Sequence, residues 1–181
     1  MKGINQFIER PIETQQRVLF SLLSQAKNTE YGKLHRFEEI KSYEDFNKRV
    51  PIVSYEDFEP FIEKARQGNP DVFWAGKIKH FAKSSGTTNA KSKFIPISDE
   101  SLQNCHYKAG KDLLAIYINN HRDSNLFKFK NLRLGGSAEL YESFGTKFGD
   151  LSAILIENLP FWVERTTTPS REVSLMSEWE T

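Results

Sequence analysis

Residues 83–93 read KSSGTTNAKSK, a run of small hydroxyl residues, one glycine and three lysines that neither a helix nor a strand interior accommodates. Apolar positions alternate on its N-terminal side at Ile78, His80 and Ala82, and Phe94, Ile95 and Ile97 follow on the other side. This pattern predicts strand, loop, strand. Hydroxyl residues around a glycine let a backbone turn tightly, so that successive N–H and O–H groups face one oligo-anion. The charge pattern points the same way. Residues 72–98 contain no Asp or Glu, while Lys77, Lys79, Lys83, Lys91 and Lys93 supply five positive charges. The chain as a whole carries only +1, from 25 Lys and Arg against 24 Asp and Glu, so the positive field is local. A hairpin loop of the same composition is the plainer alternative. The spacing is not that of a Walker A loop, which wants Gly-Lys-Ser or Gly-Lys-Thr running directly into a helix.

The N-terminal 70 residues read as mainly helical. Val18, Leu19, Leu22, Leu23 and Ala26 form one stripe at three- and four-residue spacing over residues 12–26. The pentapeptide SYEDF occurs at residues 42–46 and again at 54–58, each copy a serine N-cap with acids in the first turn. These predict helices ending near Arg49, ahead of Pro51, and near Arg66, ahead of Gly68 and Pro70. Residues 71–181 are a mixture of strands and helices. Ser98 is expected to cap a helix carrying Leu102, Leu113, Leu114 and Ile118 to about Asn120, with a strand following at residues 132–134. Asp150 is expected to cap a helix bearing Leu151, Ile154, Leu155 and Leu159, a strand at residues 152–156 being the alternative. Ser170 opens a last helical pattern through Val173, Met176 and Trp179 that runs to the final residue as if cut short. The fold class expected is mixed α/β.

Other residues exclude more than they assign. No apolar run approaches the roughly 18 residues of a membrane span, and the polar start has no apolar export region, so a cytoplasmic protein is expected. Cys105 is read as a buried small apolar residue. His35, His80, His106 and His121 show no metal-ligand spacing. Phe127, Lys128, Phe129 and Lys130 alternate as a protected edge strand does, and no nucleic-acid partner is expected. Gly135, Gly136 and Ser137 read as a tight turn.

The segment Ser84-Ser85-Gly86-Thr87-Thr88, with lysine shortly after, resembles the phosphate loop of the adenylate-forming superfamily. Its flanks narrow the likeness. Thr29-Glu30-Tyr31-Gly32, Val50-Pro51-Ile52-Val53 with Tyr55-Glu56-Asp57, the loop running into Lys93-Phe94-Ile95-Pro96, Gly149-Asp150-Leu151-Ser152 and Leu159-Pro160-Phe161-Trp162 together resemble the GH3 family of acyl acid amido synthetases, in its bacterial form. The resemblance implies an ATP-dependent ligase that activates a carboxylic acid as acyl-AMP and transfers the acyl group to an amine. ATP and Mg²⁺ are then the cofactors, with small-molecule acids and amines as the partners. It implies that Ser84, Ser85, Gly86, Thr87 and Thr88 hold phosphates, with Lys93, ahead of Lys91, as the lysine. It also implies that residues 1–181 are the N-terminal portion of the adenylation domain, without a C-terminal domain, so that the chain alone is inactive and exposes an apolar face through which it self-associates. A departure stands beside the likeness: Asn89, Lys91 and Ser92 occupy the places where the superfamily carries Gly and Pro-Lys. The competing reading is a non-catalytic module whose basic loop docks a phosphorylated or acidic partner.

Overall fold

The structure is a computed structural model that describes residues 2–84, 92–133 and 140–176. It divides into two compact units, Met1–Ile78 and Lys79–Thr181.

The first unit is helical. A short helix α1 (Lys2–Glu9), which the sequence reading passed over, precedes α2 (Pro11–Ala26), α3 (Glu30–Leu34), a 3-10 turn at Phe37–Glu39, α4 (Tyr43–Arg49) and α5 (Tyr55–Arg66). Both SYEDF copies start helices as expected, and both form full capping boxes. The Ser42 hydroxyl accepts from Asp45 N–H at 3.0 Å, and the Ser54 hydroxyl accepts from Asp57 N–H at 3.2 Å, while each aspartate accepts in return from its serine's backbone N–H. The Lys41 backbone N–H, with the Ser42 bonds, holds the carboxyl of Asp45 below the ordinary aspartate range, and the Ser54 bonds do the same for Asp57. Only part of the predicted α2 stripe is covered: Leu23 and Ala26 are buried, whereas Val18 and Leu22 are exposed.

The segment Thr29-Glu30-Tyr31-Gly32 has an architectural role. Buried Thr29 donates its hydroxyl to Ala26 C=O at 2.7 Å and accepts from Gly32 N–H at 3.0 Å, turning the chain from α2 into α3. Glu30 N–H and Tyr31 N–H then bond to the carbonyls of Asp71 and Val72, both at 2.8 Å. Tyr31 sits edge-on to Phe58 and Phe61 with centroids 5.1 and 5.2 Å away, which ties α3 to α5.

The second unit is built on a four-stranded sheet of order β2-β1-β5-β4, with β1 at His80–Lys83, β2 at Phe94–Ile97, β4 at Tyr141–Ser143 and β5 at Thr146–Gly149. Strand β1 pairs antiparallel with β2, as a strand-loop-strand reading requires, and parallel with β5. The β4–β5 hairpin is absent from the sequence reading, and its turn shows why: Phe144 and Gly145 both take positive φ, at 53° and 64°. A two-residue turn of this kind ordinarily announces itself with Asn-Gly or Asp-Gly, and here Phe stands in the first position.

One sheet face carries Phe81, Phe148 and Tyr141 side by side across β1, β5 and β4, with Phe94 edge-on to Phe148. The opposite face carries Ala82 and Ile97, on which Leu102 and Ile154 pack. The alternation at Ile78, His80 and Ala82 therefore marks a strand buried on both faces, since Phe81 between them is fully buried.

Ser98 caps the next helix as expected, accepting from Ser101 N–H at 3.0 Å, but the helix is not uniform. It runs as α6 (Asp99–Ser101), a π-helical stretch Leu102–Tyr107 and α7 (Lys108–Asn120). Cys105 lies on that stretch and is exposed, correcting the expectation of a buried thiol. Of the predicted apolar positions Leu102 is buried, Leu114 and Ile118 are half-buried and Leu113 is exposed; with Ile116 and Tyr117, Leu113 leaves an apolar stripe open along α7. The aromatic and basic residues 127–130 form no strand; Leu126, Phe127 and Lys128 make a turn closed by Lys128 N–H on Asn125 C=O at 2.8 Å, which overturns the edge-strand reading.

A second, two-stranded sheet pairs β3 (Asn131–Leu132) with β6 (Thr167–Thr168) in parallel. Leu134, Gly135, Gly136 and Ser137 lie outside the described residues. Helix α8 (Leu151–Glu157) settles the helix-or-strand question after Asp150 in favour of helix, and α9 (Phe161–Glu164) follows Pro160. Of the last helical pattern the described residues show α10 (Arg171–Ser174), which closes at Leu175; Trp179 and the rest of residues 177–181 lie outside the described residues. Among the described residues no helix is long and apolar enough to cross a membrane.

Candidate functional site

The predicted loop begins and ends on one sheet edge. Strands β1 and β2 pair from His80 with Ile97 up to Lys83 with Phe94, and one further pair, Ser84 with Lys93, closes the neck of the loop. There Ser84 N–H donates to Lys93 C=O, and Lys93 N–H donates to Ser84 Oγ, both at 2.9 Å. Of the six predicted site residues the structure places these two together. Ser85, Gly86, Thr87 and Thr88 lie outside the described residues, as does Lys91.

Strand alternation puts Lys93 on the face of Ala82, Ile95 and Ile97, where α8 packs, and Lys83 on the other face. Both lysines are exposed. Lys77 belongs to the first unit. Lys79 stands at the opposite end of the β1–β2 ladder, where its ammonium meets Asp99 at 2.7 Å, and this bond raises its pKa. The first acid after the stretch is thus tied up at the far end of the hairpin, and the loop end keeps its lysines.

The parallel pairing of β1 with β5 brings a second segment to the same edge. Ala82 is opposite Gly149, so the C-terminal ends of the two strands lie together, β1 leading into the loop and β5 into Gly149-Asp150-Leu151-Ser152. Ligands of open α/β sheets sit beyond the C-terminal ends of parallel strands. Asp150 was read from sequence as a capping side chain. It occupies the N-cap position of α8, yet its side chain makes no capping hydrogen bond, and it is exposed at this edge. Sequence reasoning missed it as a site residue because an Asp ahead of an apolar helical run has the ordinary signature of a cap.

The Lys93 ammonium and the Ser84 hydroxyl, which share a face where a loop of small residues leaves the sheet, suit an anion, while the Lys83 ammonium stands on the other face. They do not include a protein-built metal site, since among the described residues no group of three His, Cys, Asp or Glu side chains could hold an ion. A groove of about 380 Å³, lined by Phe20, Leu23, Phe37, Ile40, Lys27 and Lys41 among others, belongs to the first unit and contains none of the predicted site residues.

The other end of β1 carries a polar cluster around the buried His80. His80, only 7% exposed, has Nε2 3.7 Å from Glu157 Oε2 at the end of α8, and Lys147 of β5 bonds to the other oxygen of Glu157. His80 Nδ1 has no hydrogen-bond partner among the described residues. Burial lowers the pKa of His80; Glu157 and Asp99 oppose the shift, while Lys147 and Lys79 add to it. The unfolded chain therefore takes up a proton on this imidazole at a higher pH than the folded one. Stability is whole above the ordinary histidine value of 6.5 and falls as pH drops through the folded-state value. Thermal unfolding between pH 7.5 and 5.5 is expected to show a smaller acid-induced fall in Tm for His80→Gln than for the unsubstituted chain; equal falls would assign the acid sensitivity elsewhere.

Comparison with known proteins bears on what this edge serves. The chain is 31% identical over 103 residues to indole-3-acetic acid-amido synthetase GH3.2 of Arabidopsis thaliana, covering 56% of this chain and 19% of that protein. It is 36% identical over 90 residues to jasmonoyl--L-amino acid synthetase JAR6 of Nicotiana attenuata, covering 49% of this chain and 16% of that protein. Among solved structures, GH3.15 acyl acid amido synthetase superposes with a TM-score of 0.78 at 20% identity, over 98% of this chain and 31% of that one, a likeness that establishes the mixed α/β fold. The chain thus spans less than a third of the length of each of these proteins. The description of the GH3 family N-terminal domain matches residues 1–181 in full, and the chain belongs to the GH3 family.

Proposed function

We propose that this chain forms the phosphate-holding part of an ATP-dependent acyl acid amido synthetase and corresponds to the N-terminal portion of its adenylation domain. The observation that carries the reading is the KSSGTTNAKSK loop, rooted by Ser84 and Lys93 at the C-terminal edge of the parallel pair β1–β5 in a chain of the GH3 family. The named relatives are amido synthetases of indole-3-acetic acid and of jasmonate, which supports a small carboxylic acid and an amine, here an amino acid, as substrates.

In the first step a carboxylate oxygen attacks the α-phosphorus of ATP, and the bond to pyrophosphate breaks. In the second the amine nitrogen attacks the acyl carbon, and AMP leaves. Ser84, Ser85, Gly86, Thr87 and Thr88 would line the β- and γ-phosphates, the last four with backbone N–H and hydroxyl groups and Ser84 with its hydroxyl, since its N–H donates to Lys93 C=O. The Lys93 ammonium would offset the charge that builds on departing pyrophosphate. Mg²⁺ would be carried mainly by the phosphates, where it neutralises charge. Use of ATP accords with a cytoplasmic location. By the same reading, the 181-residue chain alone holds phosphates without completing adenylation, and its open apolar stripe on α7 favours self-association.

The test is acid-dependent exchange of radiolabelled pyrophosphate into ATP by the complete gene product, across a panel of aryl, indolyl and fatty carboxylic acids. Exchange with at least one acid is expected. A folded protein that supports none would overturn adenylation and leave the docking-module reading.

A further inference from the structure

We propose that Ser84 is a positioning residue for Lys93, whose hydroxyl closes the neck of the loop and sets the backbone root of that lysine. The proposal rests on the phosphate-loop reading above and adds a positioning role to the one that reading gives Ser84. In an antiparallel hydrogen-bonded pair, two opposed residues normally exchange two bonds, each N–H donating to the other's C=O. The pair next after Lys83 and Phe94 makes only half of that pattern with backbone groups: Ser84 N–H donates to Lys93 C=O at 2.9 Å. The returning bond from Lys93 N–H, also 2.9 Å, goes to Ser84 Oγ, so the side chain has taken the place of its own carbonyl in the ladder.

Two consequences follow from that substitution. Both backbone polar groups of Lys93 are held by Ser84, so the exposed Lys93 side chain leaves the sheet from a fixed point, on the α8 face. The Ser84 hydroxyl, in turn, spends an acceptor position inside the protein. Its O–H proton stays available as a donor, so the positioning role is separate from any contact with phosphate. Alanine removes the acceptor, and threonine keeps it.

The experiment compares Ser84→Ala and Ser84→Thr with the unsubstituted complete gene product. Hydrogen exchange at the Lys93 amide is measured without nucleotide, and half-saturation by ATP is measured in the pyrophosphate exchange assay. For Ser84→Ala, Lys93 amide exchange is expected to quicken about tenfold and the ATP requirement to rise about threefold to tenfold, the loss of one neutral hydrogen bond. Ser84→Thr is expected to restore both. Weakened ATP use with unchanged Lys93 exchange would mean that Ser84 touches phosphate directly and would overturn the proposal. Quickened exchange with unchanged ATP use would overturn it too, by reducing the hydroxyl to a local ladder contact. The amide measurement needs no nucleotide, so it decides on the clamp even where the unsubstituted protein shows no ATP-dependent reaction, the result that would remove the adenylation reading instead.

Discussion

Phe148→Ala is expected to destabilise the Lys79–Thr181 unit by about 3–5 kcal/mol, enough to consume much of the stability of a domain this size. Phe148 is 2% exposed and lies on β5 between Phe81 and Tyr141, with ring centroids at 5.7 and 5.1 Å and Phe94 edge-on at 5.8 Å. Truncation removes a ring on which three aromatic side chains rest. Those neighbours sit on three different strands, whose hydrogen-bonded spacing prevents them from closing the space. Because β1 carries the loop neck, the same variant is expected to lose protection at the Lys93 amide. Urea unfolding gives the stability change, and a loss under about 1 kcal/mol would show that the aromatic row is not the mainstay of the sheet.

Gly32→Ala is expected to cost about 3 kcal/mol in the Met1–Ile78 unit, the upper end of over-packing effects. A Cβ at Gly32 would stand 2.0 Å from Ala26 O and 2.9 Å from Ala26 C, both backbone atoms. The Ala26 carbonyl has no freedom to withdraw, since it accepts from Thr29 N–H at 3.0 Å and from the Thr29 hydroxyl at 2.7 Å. Gly110→Ala supplies the contrast: a Cβ there meets nothing within 4 Å in the first turn of α7, inside the continuous helical run from Asp99 to Asn120, so that exchange is expected to be neutral or stabilising by about 0.5–1 kcal/mol. Equal urea midpoints for the two variants would refute the close-approach account of Gly32.

What the sequence made legible was local chemistry. Each SYEDF copy contains its serine and its aspartate three residues apart, so the start of the helix is written within one turn, and the stops at Arg49 and Arg66 are written by nearby Pro and Gly. The β1–loop–β2 hairpin is also local, and it carries the loop's chemistry with it. The parallel partner was not readable, because β5 pairs with β1 across more than 60 residues of chain and has only Thr146, Lys147, Phe148 and Gly149 to announce it. With β5 missed, the meeting of the loop with Gly149 and Asp150 was missed too. Residues 127–130 misled for the opposite reason, since strict alternation is shared by a strand and by a turn that exposes Phe127 and Phe129. Cys105 was placed by its residue type, whereas the π-helical stretch that carries it depends on packing that no short window encodes.

The resemblance segments divide accordingly. Thr29 and Gly32 build the α2–α3 corner, and Ser54 and Asp57 cap α5, so the spacing of those segments records architecture. Ser84 and Lys93 stand at the strand edge, where chemistry is expected. The central claim, that this edge holds the phosphates of ATP, is tested most directly by the pyrophosphate exchange rate of Lys93→Ala in the complete gene product at subsaturating ATP, with thermal unfolding measured alongside. Loss of one charged contact to phosphate is worth about 1.5–3 kcal/mol, so a rate lower by about one to two powers of ten at an unchanged Tm is predicted. A rate equal to that of the unsubstituted protein would contradict the account and take Lys93 out of the site.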